Sequence, residues 1–291
     1  MLKEVLPLCL LAGLQAACGS SSVSAPPPSM EFAQPQRVTL QGYSGDAMEP
    51  CISPDGQVLF FNNLNSPAVD TNLYYATRVD ALTFQYQGAV GGANSTALDA
   101  VASLDKAGLF YFISTRSYAT TASTVYRGSW SAGTLSNLEL VGGIPASAPG
   151  RVIFDACISP DGATLCFAEG DYSTGTLTTA DLVLADKTAT GFARSLQSAA
   201  LLQQVNLAGG TQYAPALSPS GLELFFTRLQ GGTPAIFTAT RTSTAMPFGL
   251  PHPIQALSGF VEAPSLSADG KSLYYHAYVN NQFAIYRATR P

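Results

Sequence analysis

Residues 49–61 read EPCISPDGQVLFF. A turn sequence, Ser53-Pro54-Asp55-Gly56, separates a short acid-headed segment from an apolar run. Proline at the second turn position pre-sets φ, aspartate at the third supports the turn with its side chain, and glycine at the fourth accepts positive φ. Taken alone the stretch is ambiguous, because Glu49 and Asp55 flank a tight turn as two carboxylates of a site would. Recurrence decides the matter. Related stretches begin at Asp99 (DAVASLDKAGLFYF), Asp155 (DACISPDGATLCF), Ala214 (APALSPSGLELFF) and Ala263 (APSLSADGKSLYY). The turn serines are Ser53, Ser103, Ser159, Ser218 and Ser267, roughly 50–60 residues apart. Each is followed at a fixed offset by a strand leucine: Leu59, Leu109, Leu165, Leu224 and Leu273.

A second pattern follows each turn unit after a variable loop: LYYATR from Leu73, VYRGSW from Val125, LVLADK from Leu182, IFTATR from Ile236 and IYRATR from Ile285. A third, Phe248-x-x-Pro251-x-x-Ile254, is clearest in the fourth copy. Each unit thus carries about four short strands in about 50 residues, the arithmetic of a propeller blade. The consecutive apolar residues of VLFF, GLFYF, TLCF, ELFF and SLYY suit strands covered on both faces. The expected fold is all-β, a five-bladed β-propeller of four-stranded antiparallel blades. Its fifth copy reaches Pro291 just after a third strand. Phe32, Pro35 and Val38 match the spacing of Phe248, Pro251 and Ile254. Residues 31–41 are therefore expected to supply the last outer strand and close the ring.

Composition agrees with an exported β protein. Charged residues are 11% of the 291, against roughly 25% in an average soluble protein. The net charge is −5 and the basic residues are scattered singly, so nucleic acid is not an expected partner. Residues 1–17 read as a leader: Lys3, an apolar stretch from Val5 to Leu14, then small residues before Cys18. Ala16-Ala17-Cys18-Gly19 resembles a bacterial lipoprotein processing site, which implies a lipid on Cys18 and a membrane anchor. The departures are Gln15 where such sites carry leucine, and Glu4 in the basic region. Residues 18–30 read as a Ser/Pro tether and residues 31–291 as the propeller. The expected location is the cell envelope, on the periplasmic or surface side of the outer membrane, as a monomer.

The Ser-Pro-Asp-Gly copies resemble the TolB-type, WD-repeat-like propeller repeat of exported bacterial proteins, over residues 31–291. The resemblance implies a fold. Propellers of this type serve as enzyme domains, sugar binders and docking platforms. TolB carries a further N-terminal domain, so its envelope partnership is not carried over.

Glu49, Asp99 and Asp155 stand four residues before their turn serines, with Tyr213 and Glu262 just before the corresponding alanines of copies four and five. Glu49, Asp99, Asp155 and Glu262 are expected as an acidic ring near one mouth of the channel. Trp130, the only tryptophan, is a candidate for sugar stacking or a protein contact. Asp55, Asp105, Asp161 and Asp269 are expected to stabilise turns. Cys157 and Cys166 face each other if the loop between them centres on Asp161-Gly162, which would permit a disulfide. A bulge at Gly162 would put them on opposite faces. With His252 and His276 as the only histidines, no metal site and no cofactor are expected. The leading expectation is a non-enzymatic binding or scaffolding propeller, its partner an envelope protein or glycan. The alternative is a carbohydrate-active enzyme, a glycoside hydrolase or lyase-like protein, using two of the inner-strand acids. Ligand contacts are expected from the insertions Ser114–Ser123 and Glu169–Ala180.

Overall fold

The computed structural model describes residues 31–64 and 71–291. The expected leader, tether and lipidation site at Cys18 lie outside the described residues. Strands β1 (Ala33–Arg37) and β2 (Thr39–Gln41) come first. Blade one is β3 (Met48–Ile52), β4 (Val58–Asn62), β5 (Leu73–Arg78) and β6 (Thr83–Ala89). Blade two is β7 (Asp99–Leu104), β8 (Leu109–Ser114), β9 (Val125–Ser131) and β10 (Thr134–Leu140), with the single-turn helix α1 (Tyr118–Thr121) between β8 and β9. Blade three is β11 (Arg151–Ile158), β12 (Thr164–Asp171), β13 (Thr179–Lys187) and β14 (Phe192–Arg194). Helix α2 (Ser198–Leu201) leads to blade four: β15 (Gln212–Leu217), β16 (Glu223–Gln230), β17 (Thr233–Thr240) and β18 (His252–Pro253). Blade five is β19 (Val261–Leu266), β20 (Ser272–Val279) and β21 (Gln282–Thr289), completed by β1. The five-bladed propeller is thus the observed fold.

The core lies in the seams between blades. Phe60 and Phe110 meet between blades one and two. Tyr111 and Phe167 share the next seam, Cys166 and Phe226 the third, Phe225 and Leu273 the fourth, and Phe61 and Tyr274 the last. Each blade is therefore buried on both faces, which is why its central strands are apolar at successive positions.

The repeated turn is held by its own side chains. Ser53 donates to Asp55 Oδ1 at 2.6 Å and accepts the Val58 N–H, while the Gln57 N–H reaches Asp55 at 3.0 Å. Ser159 with Asp161 and Ser267 with Asp269 repeat the arrangement. The serine hydroxyls, helped by the backbone N–H bonds, hold all three carboxyls below the usual aspartate value. The arginines ending the third strands serve the same turns. Arg78, Arg241 and Arg290 donate to the carbonyls of Gly56, Gly221 and Gly270. Their guanidinium groups lie over Phe84, Phe248 and Phe32 at 4.3–4.6 Å.

Blade two departs from the expected register. Asp105 there occupies the place of the turn serine, its Oδ1 accepting the N–H groups of Ala107 and Leu109 at 2.8 and 2.9 Å. Gly108 N–H closes the turn on Asp105 O as Gly56 does on Ser53 O. The loop is one residue shorter, so one carboxylate does the work of the Ser53–Asp55 pair. Phe110, wholly buried, stands where Leu59 stands in blade one. Ser103 and Leu109 are thus not the counterparts of Ser53 and Leu59, and Asp99 is not the counterpart of Glu49. That counterpart is Val101.

Every innermost strand carries a bulge before the turn. Glu49, Val101, Ala214 and Ala263 have φ between +48° and +58° there. Pro50, Pro215 and Pro264 follow three of them and bring no further N–H to satisfy. The N–H of each of these four residues is taken by a side chain of the preceding blade. Glu49 donates to His276 Nδ1 at 3.0 Å, Val101 to Asn62 at 3.3 Å, Ala214 to Asp155 at 2.9 Å and Ala263 to Thr227 at 3.0 Å. A second ring of contacts lies closer to the turns. Ile158 N–H reaches Ser103 Oγ and Ile52 N–H reaches Ser265 Oγ, at 2.9 and 3.1 Å. The N–H groups of Leu104 and Leu217 face the thiols of Cys51 and Cys157. Cys157 and Cys166 are register partners, as in the first of the two geometries weighed, yet all three described cysteines are free thiols. Cys157 turns to the backbone of its neighbours while Cys166 fills the seam.

Residues 31–41 close the ring in two steps. β1 pairs antiparallel with β21 as expected, but β2 crosses to blade one and runs parallel to β6. Phe32 seals the seam of blades four and five, edge-on to Phe225 at 5.7 Å, and Val38 seals the next. Replacing Phe32 with alanine should destabilise the fold by about 3 kcal/mol in denaturant titration. An unchanged midpoint would show that the clasp contributes little.

Candidate functional site

A cavity of about 490 Å³ opens at one end of the channel. Three of the four expected ring acids line it: Glu49 from β3, Asp155 from β11 and Glu262 from β19. Tyr213, Phe154 and Tyr172 supply aromatic walls. Toward the turns the channel narrows to a space of about 90 Å³ lined by Pro50, Pro215, Pro264 and the Cys51 and Cys157 segments. Glu49 and Asp155 border both spaces, at the floor of the larger one.

Asp155 is 2% exposed. Burial, with Glu262 adding repulsion, outweighs the bond from Ala214 N–H and raises its pKa to about 7. The blade's geometry explains why an acid is there. Asn62, Thr227 and His276 catch the bulge N–H groups from the third position after the buried strand residues Leu59, Leu224 and Leu273. The same position after Leu165 in blade three is Ala168, which has nothing to offer a donor. Asp155 reaches Ala214 from the inner strand instead.

Glu262 accepts the Tyr213 hydroxyl at 2.8 Å. Burial and the adjoining carboxylate keep the Tyr213 phenol protonated far beyond its ordinary range, so it remains a donor. His276 lies wholly buried beneath. Its Nδ1 accepts the Glu49 N–H, which leaves the proton on Nε2, 3.2 Å from Glu262 Oε2. Glu49 is itself buried, and its positive φ belongs to the repeat, since Val101, Ala214 and Ala263 share it.

Two expected site residues lie elsewhere. Asp99 is fully buried and paired with Arg116 at 2.6 Å, with Ser95 donating its N–H and hydroxyl. Its displaced register carries it away from the cavity floor. Trp130 packs edge-on to Phe60 at 4.7 Å and Tyr75 at 5.2 Å and stacks near Phe110, so it fills the seam of blades one and two. The two insertions do wall the cavity: Thr115 and Tyr118 come from the first, Tyr172 and Leu177 from the second. Sequence reasoning misses His276 because it treats the two histidines only as metal ligands. Its signal was a polar residue inside the greasy strand SLYYH, at the place of Asn62 and Thr227.

No protein-family model matches the chain, and no curated protein matches its sequence. Solved structures do match its fold. One is Zg3597, a family 117 glycoside hydrolase of the marine bacterium Zobellia galactanivorans, at TM-score 0.59 and 14% identity over 89% of this chain and 91% of that one. Another is an endo-arabinase from Bacteroides thetaiotaomicron, at TM-score 0.55 and 15% identity over 88% and 98%. A putative TolB from Agrobacterium tumefaciens matches at TM-score 0.47 and 16% identity over 80% and 70%. Glycoside hydrolases of families 62 and 43 are also among the matches. At these identities the likeness is one of fold. The expectation of a non-enzymatic binding or scaffolding protein is nonetheless corrected. Four of the matched propellers are glycoside hydrolases, and three carboxylates of this chain gather in one aromatic-walled cavity.

Proposed function

We propose that the propeller is a glycoside hydrolase acting on a neutral sugar. One observation carries this reading: Asp155, buried and with its pKa raised to about 7, lines the same cavity as Glu262. Two carboxyl groups in unlike environments divide acid from base. Asp155 Oδ2 is occupied by the Ala214 N–H, leaving Oδ1 to carry the proton. Asp155 is assigned as general acid, protonating the glycosidic oxygen as its C–O bond breaks. Glu262, steadied by Tyr213, is assigned as the carboxylate that activates water or meets the positive charge developing on the sugar. No lysine or arginine lines the cavity among the described residues, which disfavours an anionic sugar. Export and a lipid on Cys18 extend the proposal to an envelope-tethered enzyme, which mass spectrometry of the mature N-terminus would test.

Asp155→Asn and Glu262→Gln should each lower kcat/KM on a responsive glycoside by about 100-fold or more. Activity on neutral oligosaccharides that survives both substitutions would sink the assignment. The kcat/KM profile should fall as pH rises above about 7, where Asp155 loses its proton. Stability should move the same way. A carboxyl whose folded pKa is raised contributes fully below the unfolded value near 4, and that contribution is lost as pH rises through about 7. Asp155→Asn keeps an acceptor for Ala214 without a charge. It should therefore gain more than about 1 kcal/mol over the parent at pH 8 relative to pH 5, read from unfolding midpoints. An equal difference at both pH values would contradict a raised pKa.

A further inference from the structure

We infer that Phe260, Tyr278 and Phe283 form a stacking subsite for the sugar ring next to the one held by the acids. This rests on the hydrolase reading. The three rings make one cluster on blade five. Tyr278 and Phe283 are register partners with centroids 4.8 Å apart, and Phe260 lies 6.2 and 5.7 Å from them. Phe260 O also accepts the Tyr278 N–H at 3.1 Å. Phe260 and Phe283 are half-buried, while Tyr278 is 45% exposed.

The cluster is tied to the acid site by strand geometry. Glu262 and His276 are register partners on β19 and β20. Tyr278 is two residues after His276 on β20, so strand alternation puts Glu262, His276 and Tyr278 on one face, and Phe260, just before β19, joins them through its ring contacts with Tyr278 and Phe283. Two residues of strand span about 7 Å, on the scale of one sugar ring. Phe283 also stands edge-on to the His276 ring at 5.5 Å and 77°. The platform is rigid. The β20–β21 hairpin closes through Asn280 and Asn281, with φ of 53° and 61°, the backbone a two-residue primed turn requires. Sugars present C–H faces that pack on aromatic rings while their hydroxyls stay with solvent or polar neighbours. A patch of three rings is too small for a stable protein interface. Its place on the same strand face as Glu262 favours a sugar as occupant.

The test compares cello-, xylo-, arabino- and agaro-oligosaccharides of two to six rings with glycosyl fluorides of the same sugars, which present no second ring. Tyr278→Ala and Tyr278→Leu should each lower the ratio of oligosaccharide to fluoride kcat/KM by about 10-fold. Tyr278→Phe should restore it. Unfolding midpoints of the variants serve as the check on folding, since Tyr278 is exposed. A ratio unchanged in Tyr278→Ala and Tyr278→Leu overturns the subsite. Titrating the same oligosaccharides against Asp155→Asn, with Tyr278 ring resonances observed by NMR, separates the two readings. Perturbed resonances without any hydrolysis by the parent protein support the subsite and overturn the hydrolase. Hydrolysis with unperturbed resonances overturns the subsite alone.

Discussion

The fold depends on how the innermost strands end. Each carries a bulge at the channel, and a bulge frees a backbone N–H where little water reaches. In four blades that N–H is met by a side chain, His276, Asn62, Asp155 or Thr227, from the blade before. An unmet buried donor costs roughly 1–3 kcal/mol, so the identity of each partner is constrained by its neighbour's backbone. The proline after the bulge in blades one, four and five removes the next donor by chemistry rather than by pairing. The blades are thus joined by specific polar contacts near the axis and by apolar seams further out.

That constraint creates the candidate site. Blade three carries Ala168 where blades one, four and five carry Asn62, Thr227 and His276, so Asp155 takes over the task from a position closer to the axis. A carboxyl there is deeply buried and sits near Glu262, and both facts raise its pKa. The scaffold role and the proposed acid role coexist because one carboxyl oxygen holds the backbone and the other carries a proton. His276 is similarly divided. One ring nitrogen serves the Glu49 bulge, which fixes the tautomer and turns the other nitrogen toward Glu262. Charge buried for function tends to be unfavourable for stability, and here the two meet in the same residue.

Much of this architecture was legible in the sequence because its periodicities are physical. Turn chemistry at Ser53-Pro54-Asp55-Gly56 and doubly covered strands such as VLFF give a blade, and the Phe32/Phe248 match gives closure. Blade two misled because the fixed offset from Ser103 to Leu109 arises by coincidence. Asp105 merges two turn functions in a loop one residue shorter, and a pattern of letters does not register which atom accepts the hydrogen bond. Glu49 and Asp155 were found because they stand four residues before a turn serine, and Glu262 because it precedes the alanine at that position in copy five. Their convergence, and the separation of Asp99 from them, depended on that register. Trp130 shows the opposite limit, since its seam contacts with Phe60 and Tyr75 come from a neighbouring blade and leave no local trace.

The two-step clasp has a consequence in time. β1 is among the earliest parts of the propeller to be synthesised, yet its partner β21 is the last. Glu49 comes from the first blade and Glu262 from the fifth, while His276, which contacts both, arrives later still. No partial chain can assemble this constellation. The slow event in folding is then the pairing of the most distant segments, since loop closure must precede the contacts that reward it. Any catalytic competence of the cavity belongs to the finished propeller, with its first and last strands joined in a single blade.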